Sequence, residues 1–278
     1  MKYLIARAGA LALAGLFLSA AGWAQQAPTL NQPKPGQKGG PVVTKAESDA
    51  YKAIYNTQQS LKGSAGQPGD PMHLIDLGEA FVAKFPMSYY TGPVYAMLTE
   101  AYLNLGQTDK MIDAGNKALA IDADNIDVLS IMAWAIPRRT NGTSAEAMQQ
   151  LQKAQGYAHH GLDLLMTLVK PAGMSDTDFQ NSKNESSSMC HDGLGVVAVK
   201  TGKYDDAVTE LKQAIMLANM PDPVDFYLLA VADENTSHFS DATANFTKCA
   251  AAGPMQPQCK AGLDDVKKKS QNSLEAPQ

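Results

Sequence analysis

Histidine and cysteine are the side chains through which this sequence could do metal or nucleophilic chemistry, and their spacing argues against both. His159 and His160 are adjacent, so on a helix their side chains diverge by about 100° and cannot share one metal ion. The run Cys190-His191-Asp192 has the same difficulty, and His73 and His238 are isolated in the sequence. We therefore predict no catalytic residues, no metal site and no cofactor.

The three cysteines leave one residue outside any intramolecular disulfide. Cys249 and Cys259 flank a short stretch with one glycine and two prolines, which is typical of a helix-to-helix turn. A disulfide closing this loop would contribute about 2–3 kcal/mol. The alternative is a pair of buried thiols, because free cysteine is usually buried. Cys190 lies in an apolar helical pattern and is expected in the core.

The N-terminus has the pattern of a secretory signal peptide over residues 1–24. Lys2 and Arg7 give a positive start, an apolar run follows over residues 8–18, and Gly22-Trp23-Ala24 supplies small residues around a cleavage position. The apolar run is shorter than the roughly 20 residues that a bilayer span needs. We predict export to the periplasm or cell envelope, with no stable membrane span after cleavage. Secretion from the cell and an uncleaved anchor are the alternatives.

Composition and charge limit what the rest of the chain can bind. Residues 25–44 are rich in Pro, Gly and Gln and are predicted to be a flexible linker, and residues 271–278 a disordered tail. The net charge is -5, and the basic residues form no stripe that could neutralise nucleic-acid phosphates. The one basic run, Lys267–Lys269, is interpreted as a solvated helix end.

Residues 45–270 are predicted to be helical almost throughout, because Ala, Leu, Met, Lys, Glu and Gln dominate and no strand-like alternation occurs. Gly and Pro clusters divide the region into paired helices. The centre is irregular. A helix over residues 126–136 is predicted to end at a long turn starting at Pro137, and an oversized helix to follow over residues 144–169. Ser175 is predicted to cap the next helix.

Two segments repeat the same plan, in which a helix ends at Gly106 or Gly202 and a second helix with small residues follows a polar turn. These segments resemble tetratricopeptide repeats, which are helix-turn-helix units of about 34 residues. The matching positions in residues 92–125 are Leu98, Tyr102, Gly106, Ala118 and Leu119, and those in residues 188–221 are Leu194, Gly195, Gly202, Tyr204, Ala207, Leu211 and Ala214. A third unit follows with Leu229, Ala230, Phe239, Ala242 and Phe246. The predicted fold is an all-α helical-repeat solenoid.

The resemblance implies a concave groove lined by the first helix of each pair, in which peptides lie. In the family's register, the candidate partner-binding residues are Glu100, Asn104, Asp127, Ser130, Trp134, Arg138, Asp192, Lys200, Tyr227, Glu234 and Asn235. Trp134 is the preferred anchor, because Trp concentrates binding energy at interfaces. The alternative is that Trp134 packs in the core.

We predict a non-enzymatic scaffold that binds an unknown protein or peptide through this groove. The alternative is an envelope protein that binds a small molecule or glycan in a pocket closed by the oversized central unit. A closed apolar pocket near Trp134 would favour the second interpretation, and an open, charged groove the first.

Overall fold

The structure is a computed structural model that describes residues 43–61, 70–251 and 255–275. Within these residues it contains eleven α-helices and no strand, as the sequence predicts. The helices are α1 (Lys45–Leu61), α2 (Pro71–Lys84), α3 (Thr91–Asn104), α4 (Thr108–Ile121), α5 (Ile126–Arg139), α6 (Ala145–Thr167), α7 (Asp176–Lys200), α8 (Tyr204–Leu217), α9 (Pro223–Asn235), α10 (Phe239–Ala250) and α11 (Gln256–Glu275). We call α3, α5, α7 and α9 first helices, and α4, α6, α8 and α10 second helices.

The described chain divides into two compact units, and the N-terminal unit comprises residues up to 132 together with 163–183. Its helices α1 to α4 pack sequentially, each against the next. Small residues permit this packing: a Cβ on Gly78 would lie 2.7 Å from Leu98, and one on Gly115 would lie 2.5 Å from Met132. Large residues fill the remaining space, and the ring of Tyr51 stacks on another buried tyrosine ring at 4.2 Å.

The C-terminal unit comprises residues 133–162 and 184 onward. Within it, α8 packs on α9, α9 on α10 and α10 on α11. The predicted alternation of small and large residues is present here too, since a Cβ on Gly195 would lie 2.6 Å from Leu211 and one on Gly262 would lie 2.4 Å from Phe246. Each helix pair therefore fills its core with side chains from the next pair.

The turns between α3 and α4 and between α7 and α8 share one conformation. Gly106 and Gly202 have φ of 66° and 73°, the left-handed conformation predicted for them, which costs glycine little. Their backbone hydrogen bonds also correspond, because Gln107 N–H donates to Tyr102 at 2.9 Å and Lys203 N–H donates to Ala198 at 2.9 Å. The turn between α9 and α10 repeats the bond from His238 N–H, but it carries Ser237 at a φ of 63°.

Three helix ends differ from the sequence prediction. Thr44, assigned to the linker, caps α1: its hydroxyl accepts from Glu47 N–H at 3.2 Å, and its own N–H donates to the Glu47 carboxylate at 2.7 Å. Helix α5 does not end at residue 136 but continues through Pro137 to Arg139. Helix α11 extends to Glu275, so residues 271–275 are helical rather than part of a disordered tail. The predicted cap of α7 is present, since Ser175 Oγ accepts from Asp178 N–H at 3.0 Å.

Cys249 and Cys259 are joined by a disulfide between α10 and α11, with Cα atoms 5.9 Å apart. Cys190 lies outside that bond and is fully buried, as predicted, beside Ala133, Ala158 and Leu194.

The predicted signal peptide and residues 25–42 of the predicted linker lie outside the described residues. Among the helices that the structure describes, none combines the length and apolar character of a membrane-spanning segment.

Candidate functional site

A buried charge network joins three first helices in the C-terminal unit. Arg138 at the end of α5 places Nη2 2.5 Å from Asp192 Oδ2 on α7 and 3.3 Å from Asp225 Oδ1 on α9. The side chains of both aspartates are 5% exposed and that of Arg138 is 20% exposed. Because a buried arginine needs charged partners, the network fixes the guanidinium between the three helices.

Trp134 contacts this network through Arg138. It lies one turn before Arg138 on α5, and its partly exposed ring is 4.5 Å from the guanidinium carbon. Arg138 Nη1 also donates to the Trp134 carbonyl at 3.2 Å. A cation over an indole face is attracted to it, so Arg138 holds the ring in place. Trp134 is therefore a pre-ordered, partly exposed aromatic group rather than a fully buried core residue.

Lys200 extends the network at the end of α7. Its ammonium donates to the main-chain carbonyl of Thr140, just beyond α5, at 2.6 Å. Burial and the neighbouring positive charge of Arg138 lower the pKa of Lys200. Three residues that the sequence selected from the C-terminal unit, Trp134, Arg138 and Asp192, thus form one cluster, and Lys200 lies beside it.

The two aspartates share the arginine, and each affects the pKa of the other. Burial, followed by the charge of Asp192, raises the pKa of Asp225 well above its usual value. Burial also raises the pKa of Asp192, although Arg138 opposes that shift. For Arg138, burial disfavours the charged form, but the two carboxyl groups outweigh it and raise its pKa. Burial and the Asp192 charge therefore favour the neutral form of Asp225, whereas Arg138 favours the ionised form of Asp192.

Local sequence explains why α5 and α7 approach closely enough for this contact. A Cβ on Gly193 would lie 2.3 Å from the carbonyl oxygen of Ala133. Pro137 has no N–H, so the Ala133 carbonyl, four residues earlier, loses its helical donor. The glycine and the proline together bring the α7 backbone against an α5 carbonyl, next to Trp134 and Asp192.

Other candidates in the C-terminal unit do not join this cluster. Tyr227 packs edge-on against Phe246 at 5.9 Å. Glu234 forms an ion pair with Lys269 on α11 at 2.9 Å, so part of the basic run predicted to be a solvated helix end makes a specific contact. Asn235 is exposed, and its amide donates to the Val231 carbonyl at 2.7 Å.

The candidates in the N-terminal unit are scattered. Glu100 accepts from the buried Gln58 amide at 3.1 Å, Asn104 is exposed and Asp127 is partly exposed. Ser130 is 1% exposed and donates its hydroxyl to the Ile126 carbonyl at 2.8 Å. Ser130 and Asp192 are both buried, so neither presents surface to a partner in this conformation, and Asp192 is paired with Arg138.

Asp225 is the member of the cluster that sequence reasoning missed. It lies in the first turn of α9, where Asp222 caps the helix by accepting from Val224 N–H at 2.9 Å. An aspartate in a first turn is usually a solvated charge that favours the helix dipole. One signal in the sequence could have identified Asp225: it lies in the first helix of the third predicted repeat unit, and first helices were expected to line the groove.

The potential metal ligands do not cluster in the part of the chain that is described. No group of three or more His, Cys, Asp or Glu side chains there could hold a metal ion. His191, next to Cys190, contacts Glu210 on α8 at 2.7 Å. The side chains of His191 and Glu210 therefore link α7 to α8.

Residues 92–125 match the tetratricopeptide repeat model, and this segment contains most of α3 and all of α4. The chain therefore carries a tetratricopeptide repeat where the sequence resemblance placed one, and that prediction is confirmed. No curated protein matches the chain.

Solved structures resemble the chain only distantly. A thermophilic tetratricopeptide-repeat protein of Thermus thermophilus is 15% identical with a TM-score of 0.44, covering 79% of this chain and 98% of its own. PilW, a widely conserved type IV pilus biogenesis factor, is 14% identical with a TM-score of 0.47, covering 85% and 97%. BtubC from P. vanneervenii is 15% identical with a TM-score of 0.45, covering 78% and 91%. These similarities are too low to carry a partner or a process over to this chain.

Proposed function

We propose that this protein is a non-enzymatic scaffold of the cell envelope that binds a protein or peptide through the face formed by α5, α7 and α9. The observation that carries the proposal is the partly exposed ring of Trp134, held on Arg138 by the buried Asp192 and Asp225. A large aromatic group that is already fixed before binding loses little side-chain entropy on contact. It is therefore suited to be an interface anchor.

The surroundings of Trp134 favour a protein partner over an enclosed small molecule. Arg138 places a charged group against the ring, the buried Asp192 and Asp225 hold Arg138 there, and Lys200 adds a second cation at the end of α7. Small-molecule pockets are mostly apolar with a few polar groups. The location in the envelope rests on the signal-peptide pattern of residues 1–24.

Photo-crosslinking tests this proposal. A photoreactive phenylalanine replaces Trp134 in the full chain, and the matched control carries it at the exposed Gln149 on α6. We expect a crosslinked protein partner from the 134 position and none from the control, with export followed in the same cells. Recovery of only this protein would replace the proposal with self-association, and equal crosslinking from both positions would remove the assigned face.

Trp134→Ala then separates binding from folding. We expect partner affinity to fall by more than about tenfold, as for an interface anchor, while the helical circular dichroism signal is retained. Unchanged affinity with the identified partner would contradict the role of Trp134.

A further inference from the structure

A second surface feature lies away from the Trp134 cluster, on α8, α9 and α10. It is an open cavity of about 330 Å³, which we call the α8–α10 pocket. Its lining residues follow helical spacing on each element and are Lys212, Ile215 and Met216 on α8, Phe226 and Leu229 on α9, and Asp241, Ala244, Asn245 and Lys248 on α10. One face of each of the three helices therefore forms the pocket.

The pocket combines apolar side chains with the polar groups of its lining. Leu229 is 3% exposed, and Ile215 and Phe226 pack against the neighbouring core clusters. Met216 lies at the rim with 68% of its surface exposed. Methionine is flexible and polarizable and often lines surfaces that receive apolar side chains. A volume near the lower limit of ligand pockets suits one large side chain better than a cofactor.

The polar groups of the pocket favour a negative charge beside that side chain. Lys248 places Nζ 5.3 Å from the centre of the Phe226 ring, and Lys212 lies 3.8 Å from Asp241 across the gap between α8 and α10. Two ammonium groups therefore lie beside the exposed Asp241 carboxylate, whereas the second nearby carboxyl group, Asp233, is fully buried and burial raises its pKa. Since the Lys212 and Asp241 side chains are more than half exposed, their mutual attraction is weak and leaves both lysines able to attract an anion.

A buried amide gives the pocket a fixed polar wall. Asn245 is 7% exposed and donates Nδ2 to Asp233 Oδ2 at 2.8 Å, and Asp233 is fully buried on α9. A side-chain amide carries two N–H donors and one acceptor, and within the described residues this bond uses one donor. The held amide can therefore offer hydrogen bonds toward a peptide backbone in the pocket.

We infer that the α8–α10 pocket is a second peptide-binding site, which takes a large apolar side chain flanked by an acidic residue of a partner protein. The site uses two second helices, and its residues are separate from Trp134, Arg138, Asp192 and Asp225. It does not depend on the function proposed for that cluster.

The test uses the full chain and three labelled heptapeptides with a central Phe, which differ only in whether the residues flanking the Phe are Glu, Gln or Lys. We expect binding in the order Glu, Gln, Lys, with the Glu peptide weakening as salt rises, because exposed charges are screened. Ala244→Trp fills the pocket from an exposed helix position and should weaken the Glu peptide by more than about tenfold. The matched control Thr247→Trp, exposed on the same helix but outside the lining, should leave it unchanged.

Two more variants complete the test. Lys248→Glu should weaken the Glu peptide by about two- to fivefold, the size of one exposed charge interaction, and strengthen the Lys peptide. Trp134→Ala should have no effect here, so failure of the cluster proposal and of this one can be told apart. Absence of binding by all three peptides, equal binding of all three, or retained binding by a folded Ala244→Trp variant would overturn the inference.

Discussion

The α7 backbone at Gly193 touches the main-chain carbonyl of Ala133 on α5, with no room for a side chain between them. A Cβ at residue 193 would lie 2.3 Å from that oxygen, whereas one on Gly156, in the exposed part of α6, would meet nothing within 4 Å. We expect Gly193→Ala to lower the free energy of unfolding by about 1–3 kcal/mol, because backbone atoms must shift. Gly156→Ala should raise it by about 0.5–1 kcal/mol, since alanine is favoured in helices. Urea unfolding measures both, and equal effects would contradict the close contact.

The turn at Ser237 offers a paired test of left-handed backbone. Ser237 has a φ of 63° where the equivalent turn carries Gly202 at 73°. Ser237→Gly should stabilise the protein by about 1 kcal/mol, and Gly202→Ser should destabilise it by a similar amount. Thermal unfolding followed by circular dichroism checks the two variants. If both substitutions changed the stability in the same direction, the two turns would not be equivalent.

Asp225 makes part of the stability depend on pH. Burial and Asp192 raise the pKa of Asp225 well above its usual value, so the folded protein retains a proton that the unfolded chain releases above about pH 3.9. The stabilisation that this proton gives the folded protein is fully present below that pH and is lost as the pH rises through the folded-state pKa of Asp225.

Asp225→Asn cannot lose that proton but keeps a similar shape. Its free energy of unfolding, relative to the original protein, should therefore increase from about pH 4 to 7, by at most about 1.4 kcal/mol per pH unit. Arg138, Asp192 and Asp222 face this group and remain in the variant. Urea unfolding across this range measures the difference, with the exposed Asp264→Asn as the control. A difference in the free energy of unfolding that does not change with pH would contradict the raised pKa of Asp225.

Thiol labelling tests the Cys249–Cys259 disulfide. Unfolded, non-reduced protein should give one thiol per chain, and the Cys190→Ala variant should give none. Reduction should lower the free energy of unfolding by about 2–3 kcal/mol. Three thiols in the original protein would refute the bond.

Local signals predicted the helices and the glycine turns, because each depends on a few neighbouring residues. Gly106 and Gly202 could be identified because helices commonly end at a residue with left-handed backbone, a conformation that glycine adopts at little cost. The extension of α5 was missed, because Pro137 was expected to stop the helix, whereas Thr140 N–H still donates to Ile136 at 3.0 Å beyond it.

The site was harder to predict, because its contacts join distant parts of the chain. Arg138 and Asp225 are 87 positions apart, and nothing near Asp225 distinguishes it from a solvated first-turn charge. The family register assigned Trp134, Arg138 and Asp192 to one groove, and the structure brings these three residues into contact. The burial of Asp192 could not be predicted from that register, because it depends on how α5, α7 and α9 pack.

The bond between Cys249 and Cys259 also has a consequence for maturation. In an oxidising compartment α11 is tethered covalently to α10, whereas in a reducing one it is held only by packing such as that of Gly262 on Phe246 and by the Lys269–Glu234 pair. A terminal helix without a tether frays readily. Protease sensitivity of α11 would therefore report whether the Cys249–Cys259 bond has formed in a given molecule.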